Sequence, residues 1–198
     1  MNVRVSDASQ AGSSGSLDGL TSLYKEIIVE HAKHPRGKGR PVCCRYCQEG
    51  KNPLCGDQIT VFCEVQSFHG DEAIPHMTVG FDGSGCSISQ ASASMMCESV
   101  SEKTVPEIRK ILERAEGIYT GRLPSKNPDD IEDDIDALAG VAKFPVRVKC
   151  AALAWKSLEL LLNEHFDVEG RMKENDVGCV APVCEKARRI KIISTETN

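Results

Sequence analysis

The stretch "QITVFCEV" (58–65) alternates strictly, with Ile59, Val61, Cys63 and Val65 on one side and Gln58, Thr60 and Glu64 on the other. Side chains of a strand point to opposite faces in turn, so this pattern predicts a strand with one buried face. "HMTVGFDG" (76–83) reads as a second strand, and the linking "SFHGDEAIP" suits an antiparallel pair. A sheet with one apolar face needs cover, and the remaining segments supply helices.

From Leu20 the apolar positions Leu23, Tyr24, Ile27, Ile28 and His31 follow helical spacing. Asp18 is placed to cap this helix and Pro35 to stop it near His34. Residues 36–54 show no clear period. The small residues from Ser87 onward, with Ile88, Ala91, Met95 and Val100 inward, predict a closely packed helix that contains Cys97. Thr104–Val105–Pro106–Glu107 forms a capping box for a helix through Ile108, Ile111, Leu112 and Ala115, ending at Gly117. "NPDDIEDDIDALAG" (127–140) suits a short helix with an acidic first turn, its charges read as a solvated face. "KFPVRVKC" reads as an extended basic approach to a helix over 150–166, whose inner face carries Ala151, Ala154, Trp155, Leu158, Leu161 and Leu162. The order predicts an α+β domain, a small antiparallel sheet with helices packed on one face. Residues 1–18 read as a flexible tail, 19–168 as the domain and 169–198 as a polar, basic extension.

A chain of 198 residues that is 40% hydrophobic can bury one core. Its net charge of -5 gives no reason to expect nucleic acid or an acidic membrane surface as a partner. No apolar run approaches a membrane span, and the N-terminus lacks a signal-peptide core, so a cytoplasmic protein is expected. Ten cysteines are many for a reducing compartment, where clustered thiols serve metals or thiol chemistry rather than disulfides.

Context separates these cysteines. Cys63 on the strand's apolar face and Cys97 deep in a helix read as core thiols, and His31 as a packed, hydrogen-bonded residue. Cys55 lies in the Pro/Gly turn "NPLCGD". Cys86 follows Gly83–Ser84–Gly85 at a helix start, and Cys150 is also placed at a helix start, beside Arg147 and Lys149. Helix N-termini and nearby cations favour a thiolate. Three converging thiolates repel unless a cation lies between them. Zinc would take three sulfurs and a fourth ligand, for which Asp57 is the candidate, a harder and weaker corner. On spacing alone, three inert buried thiols remain the competing reading.

"LYKEIIVEHAKHPR", "NPLCGD", "GSGCSISQASASMM" and "FPVRVKCAALAWKSLE" occur in this order between about Leu20 and Phe166. Together they resemble the SufU branch of the IscU/NifU-like iron–sulfur assembly proteins. Two features favour that branch over IscU: Lys149 stands where the classical scaffold has a histidine, and a Pro/Asp-rich segment around 119–140 separates Cys86 from Cys150. The resemblance implies an IscU/SufU-like fold and zinc ligands at Cys55, Asp57, Cys86 and Cys150. It also implies that Cys55 accepts persulfide sulfur from a PLP-dependent, SufS-type cysteine desulfurase and passes it to downstream iron–sulfur assembly proteins. The alternative is a scaffold that builds a [2Fe–2S] cluster on the same residues.

"RPVCCRYCQEGK" (40–51) departs from that family, where the region tends to form an edge strand without cysteines. Cys43, Cys44 and Cys47, with Cys179 and Cys184 in the extension, either form a second zinc site or stay as free surface thiols.

Overall fold

The two alternating segments form strands β2 (Asp57–Val65) and β3 (His76–Ser84), paired antiparallel with Val61 opposite Phe81 and Cys63 opposite Val79. The structure, a computed structural model, describes residues 14–39, 44, 46–66, 75–124, 133–173 and 193–194, and the side chains of the first helix only from residue 22. A further strand, β1 (Tyr46–Asn52), pairs antiparallel with β2, and the two-residue β4 (Lys103–Thr104) pairs antiparallel with β3. The short β5 (Ile193–Ser194) lies parallel to β1 at the other edge, giving the order β4-β3-β2-β1-β5. Ile193 and Ser194 therefore lie at the sheet's edge.

Strand β1 falls where the sequence showed no period. Its buried positions are Tyr46, Gln48, Gly50 and Asn52, so the alternation is present but carried by polar and small residues. Gly50 has a packing reason: a Cβ there would collide with the Ser157 hydroxyl.

Among the described residues, four α-helices and one 3-10 helix complete the domain. Helix α1 spans Ser14–Lys33, so it starts ahead of the expected cap and Asp18 lies within it. Helix α2 (Ser87–Val100) is capped by Cys86, and Ala91, Met95 and Val100 are fully buried. Its small residues let α4 (Pro145–His165) approach, and Trp155 Nε1 donates to Ser92 Oγ at 2.8 Å across that contact. Helix α3 (Val105–Tyr119) opens as expected, with Glu107 accepting the Thr104 N–H at 2.8 Å, and runs two residues past Gly117. Helices α2 and α4 pack on the face of the sheet carrying Ile59, Val61 and Cys63.

Two local readings are corrected. The segment before Cys150 is not extended: α4 begins at Pro145, whose fixed φ suits a first helical turn. In its described part the acidic stretch forms a 3-10 helix, Asp134–Val141, whose aspartates, with the capping Asp133, have partners inside the fold; residues 127–132 lie outside the described residues. Asp136 is buried and accepts from Arg114 at 2.7 Å, Asp133 caps the Ile135 N–H at 3.2 Å, and Asp134 meets His31 at 2.8 Å.

Candidate metal centre

The β1–β2 turn carries the first thiol. Asn52 and Asp57 form the last rung of the hairpin, and the Asn52 carbonyl accepts N–H groups from Cys55 at 3.3 Å and Gly56 at 2.9 Å. Gly56 takes φ of 72°, a left-handed conformation that glycine adopts without a Cβ penalty. The turn leaves Cys55 exposed at its tip while Asp57, two residues on, is 1% exposed.

Strand β3 ends beside Asp57 and delivers the second cysteine. A Cβ on Gly85 would stand 2.7 Å from Asp57 Oδ1, so glycine is what lets the chain pass close to this carboxylate. The Cys86 N–H then donates to Asp57 Oδ1 at 2.8 Å. The Cys86 sulfur caps α2, accepting from the Ser89 N–H at 3.5 Å, and is exposed.

The third cysteine comes from α4. Cys150 is buried, and its sulfur lies 3.3 Å from that of Cys55. The ligand atoms of Cys55, Asp57 and Cys150 all lie within 4.8 Å of one another. Three of the four residues singled out by sequence thus converge. Cys86 joins them through its backbone, with its sulfur outside that group.

Cys150 does not sit at a helix N-terminus, because five helical residues precede it. Its thiol is pushed up, not down, first by burial and then by hydrogen bonding to Asp57 and Cys55 and the proximity of Cys86. Two sulfurs and a buried carboxylate in one cluster, with a third thiol one peptide unit away, fit a thiophilic divalent cation such as zinc. Cys63 and Cys97 differ: both are buried in the core and pushed up to about 12 by burial, which makes them inert.

A second group of potential ligands, His31, Glu98 and Asp134, has another explanation. His31 is fully buried, with Nδ1 2.8 Å from Ser94 Oγ and Nε2 2.8 Å from Asp134 Oδ2. The Arg36 guanidinium lies 3.1 Å from the ring nitrogens and its Nε 3.2 Å from Glu98, so a fixed cation already balances these carboxylates. His31 is a packed, hydrogen-bonded residue, as its helix position suggested.

Asn52 was missed by sequence reasoning. It is fully buried, and its Nδ2 lies 3.3 Å from both Asp57 Oδ2 and Cys150 Sγ. In sequence it looked like an ordinary turn residue before proline. Of the additional cysteines, Cys44 is buried and Cys47 partly buried, while Cys43, Cys179 and Cys184 lie outside the described residues, as does the test of a second zinc site.

Residues 23–151 match the family model of the NifU-like N terminal domain. The chain is 39% identical over 142 residues to the zinc-dependent sulfurtransferase SufU of Bacillus subtilis (strain 168), covering 71% of this chain and 89% of that protein. It is 34% identical over 143 residues to the iron–sulfur cluster assembly scaffold protein IscU of Thermotoga maritima, covering 72% and 94%. Among solved structures, the SUF-system iron–sulfur cluster assembly scaffold protein SufU of Fervidobacterium islandicum AW-1 superposes with a TM-score of 0.53 at 34% identity, covering 71% of this chain and 97% of that one. Among the described residues no helix is long and apolar enough to cross a membrane.

Proposed function

The chain belongs to the NifU-like N-terminal domain family, that of IscU and SufU, and we propose that it serves iron–sulfur cluster assembly as a zinc-dependent sulfurtransferase. In this reading Cys55 takes persulfide sulfur from a SufS-type cysteine desulfurase in the cytoplasm and hands it to downstream assembly proteins. The observation that carries it is the contrast within the cluster: Cys55 is exposed at a turn tip, whereas Asp57 and Cys150 are buried. A sulfur that must meet a partner's sulfur has to be the accessible one.

Cys55, Asp57 and Cys150, with Cys86 beside them, would hold the zinc. Bound there, zinc would supply the positive charge that keeps the gathered sulfurs ionised at neutral pH. The chain's own residues do the rest. The Cys55 thiolate attacks the outer sulfur of the partner's persulfide, a new S–S bond forms at Cys55, and the partner's cysteine leaves as a thiolate. One S–S bond replaces another, so no external oxidant or reductant is needed. Leu54, Phe144 and Val146, exposed by 60%, 49% and 54%, flank Cys55 and the first turn of α4 in the chain and offer an apolar rim for a protein partner.

A cluster scaffold using the same cysteines is the second reading, raised by the IscU relatives. Lys149 before Cys150 and the SufU relative favour transfer. The deciding experiment pairs metal analysis and an absorption spectrum of anaerobically purified protein with a desulfurase assay of the Cys55→Ala variant. Zinc without a visible band, and lost stimulation in a folded variant, support transfer. Iron with a visible chromophore supports the scaffold.

A further inference from the structure

Asn52 ends β1 with no exposed surface, so each polar atom of its amide needs a partner. Its Oδ1 accepts the Leu54 N–H at 3.2 Å, which shapes the turn toward Cys55. Its Nδ2 donates to Asp57 Oδ2 and to Cys150 Sγ, both at 3.3 Å. With Oδ1 of Asp57 held by the Cys86 N–H, both carboxylate oxygens are fixed. Among the described residues, the Cys55 sulfur has only the Cys150 thiol as hydrogen-bond partner. Within the three-residue cluster the asymmetry is therefore built by one side chain: two donors are tied to a buried amide and the third is not, while the Cys86 sulfur beside it is held as the α2 cap by the Ser89 N–H at 3.5 Å.

We propose that Asn52 is a positioning residue that fixes Cys150 and Asp57 as stationary ligands and so selects Cys55 as the sulfur that leaves the centre and transfers. The inference rests on the metal-centre reading above. An amide N–H donated to sulfur restricts its motion. A neutral amide does this without adding charge to a crowded anionic cluster, which an aspartate at the same place would do.

The test is a cobalt(II) titration of the metal-free full chain, following the sulfur-to-cobalt charge-transfer band, for wild type, Asn52→Ser and Asn52→Asp. Both variants keep an oxygen that can accept the Leu54 N–H, and both lose the amide N–H that reaches Cys150; the serine hydroxyl is shorter and cannot serve both partners. Cobalt affinity should fall by about 10- to 100-fold in each, the usual effect of removing a ligand's supporting hydrogen bond, and the band should change shape. Of the two neighbouring sulfurs, peptide mapping after polysulfide treatment should find added sulfur on Cys55 but not on Cys150 in wild type, and on both in the variants. Variants that bind cobalt and map like wild type would overturn the inference and leave the metal centre standing. Wild type without a sulfur-to-cobalt band would overturn the metal centre itself. If neither variant folds, the Asn52 side-chain amide resonances of the wild type decide: they should shift on cadmium loading, and unshifted resonances would reject the role.

Discussion

The sulfur of Cys150 lies 3.3 Å from that of Cys55, although 95 residues separate them in the chain, and only Cys55 is exposed. Replacing each should therefore have different consequences. In the metal-free protein Cys55→Ala should unfold at a temperature close to wild type, because the residue is exposed at the turn tip, and it should lose desulfurase stimulation entirely. Cys150→Ala should lose bound zinc and also a degree of thermal stability, since it empties a buried position on α4. Thermal unfolding, zinc content and the desulfurase assay on both variants check this pairing.

Gly85 is predicted to be required for the metal centre without contributing a ligand. A Cβ at this position would stand 2.7 Å from Asp57 Oδ1, closer than real contacts allow, so Gly85→Ala must displace the carboxylate or the Cys86 N–H that holds it. Zinc affinity, measured by competition with a chromophoric chelator, should fall by about ten-fold or more, as for other losses of ligand support. The helical content should be unchanged in circular dichroism. Wild-type affinity in this variant would show that Asp57 is not held for metal.

How much of this was legible in the sequence depended on which residues carried the pattern. Strands β2 and β3 and the capping box of α3 were readable because apolar alternation and Thr104–Glu107 state them directly. Strand β1 was not, because its buried face is built from Gln48, Gly50 and Asn52 as well as Tyr46, chosen for close approach and for hydrogen bonding at the centre. The start of α4 was misplaced because "KFPVRVKC" reads as an extended basic approach, whereas Pro145 is the first residue of the helix. Of the four residues singled out as a metal site, Cys55, Asp57 and Cys150 lie together and the Cys86 sulfur lies outside their group, while Asn52 gave no signal: its contacts are with residues 5 and 98 positions away.

The core thiols predict a loss of stability in alkali. Cys63 and Cys97 are pushed up to about 12 by burial, from 9.0 in an ordinary thiol. Above about pH 9 the unfolded chain releases these protons while the folded chain retains them, so stability falls with rising pH until the folded thiols also ionise. Each contributes a slope of ~1.4 kcal/mol per pH unit in that window, and below it neither has any effect. Urea unfolding of metal-free protein between pH 8 and 11 should show a shallower decline for the Cys63→Ala/Cys97→Ala double variant than for wild type. Parallel declines would mean that other groups govern alkaline unfolding.

Leu54 is 60% exposed and immediately precedes Cys55, yet the turn's backbone bonds do not use its side chain. A large apolar side chain held in water beside Cys55 makes sense as part of a docking surface, where its burial by a partner recovers about 25 cal/mol for each Å² removed from water. Leu54→Asp should therefore raise the concentration of this protein needed for half-maximal desulfurase stimulation by ten-fold or more (~1.4 kcal/mol). Maximal stimulation, zinc content and thermal stability should stay at wild-type values, because no ligand or core residue is touched. An equal loss in maximal rate and zinc content would instead place Leu54 in the support of the metal site. Unchanged kinetics would move the docking surface away from the turn, toward Phe144 and Val146 at the start of α4.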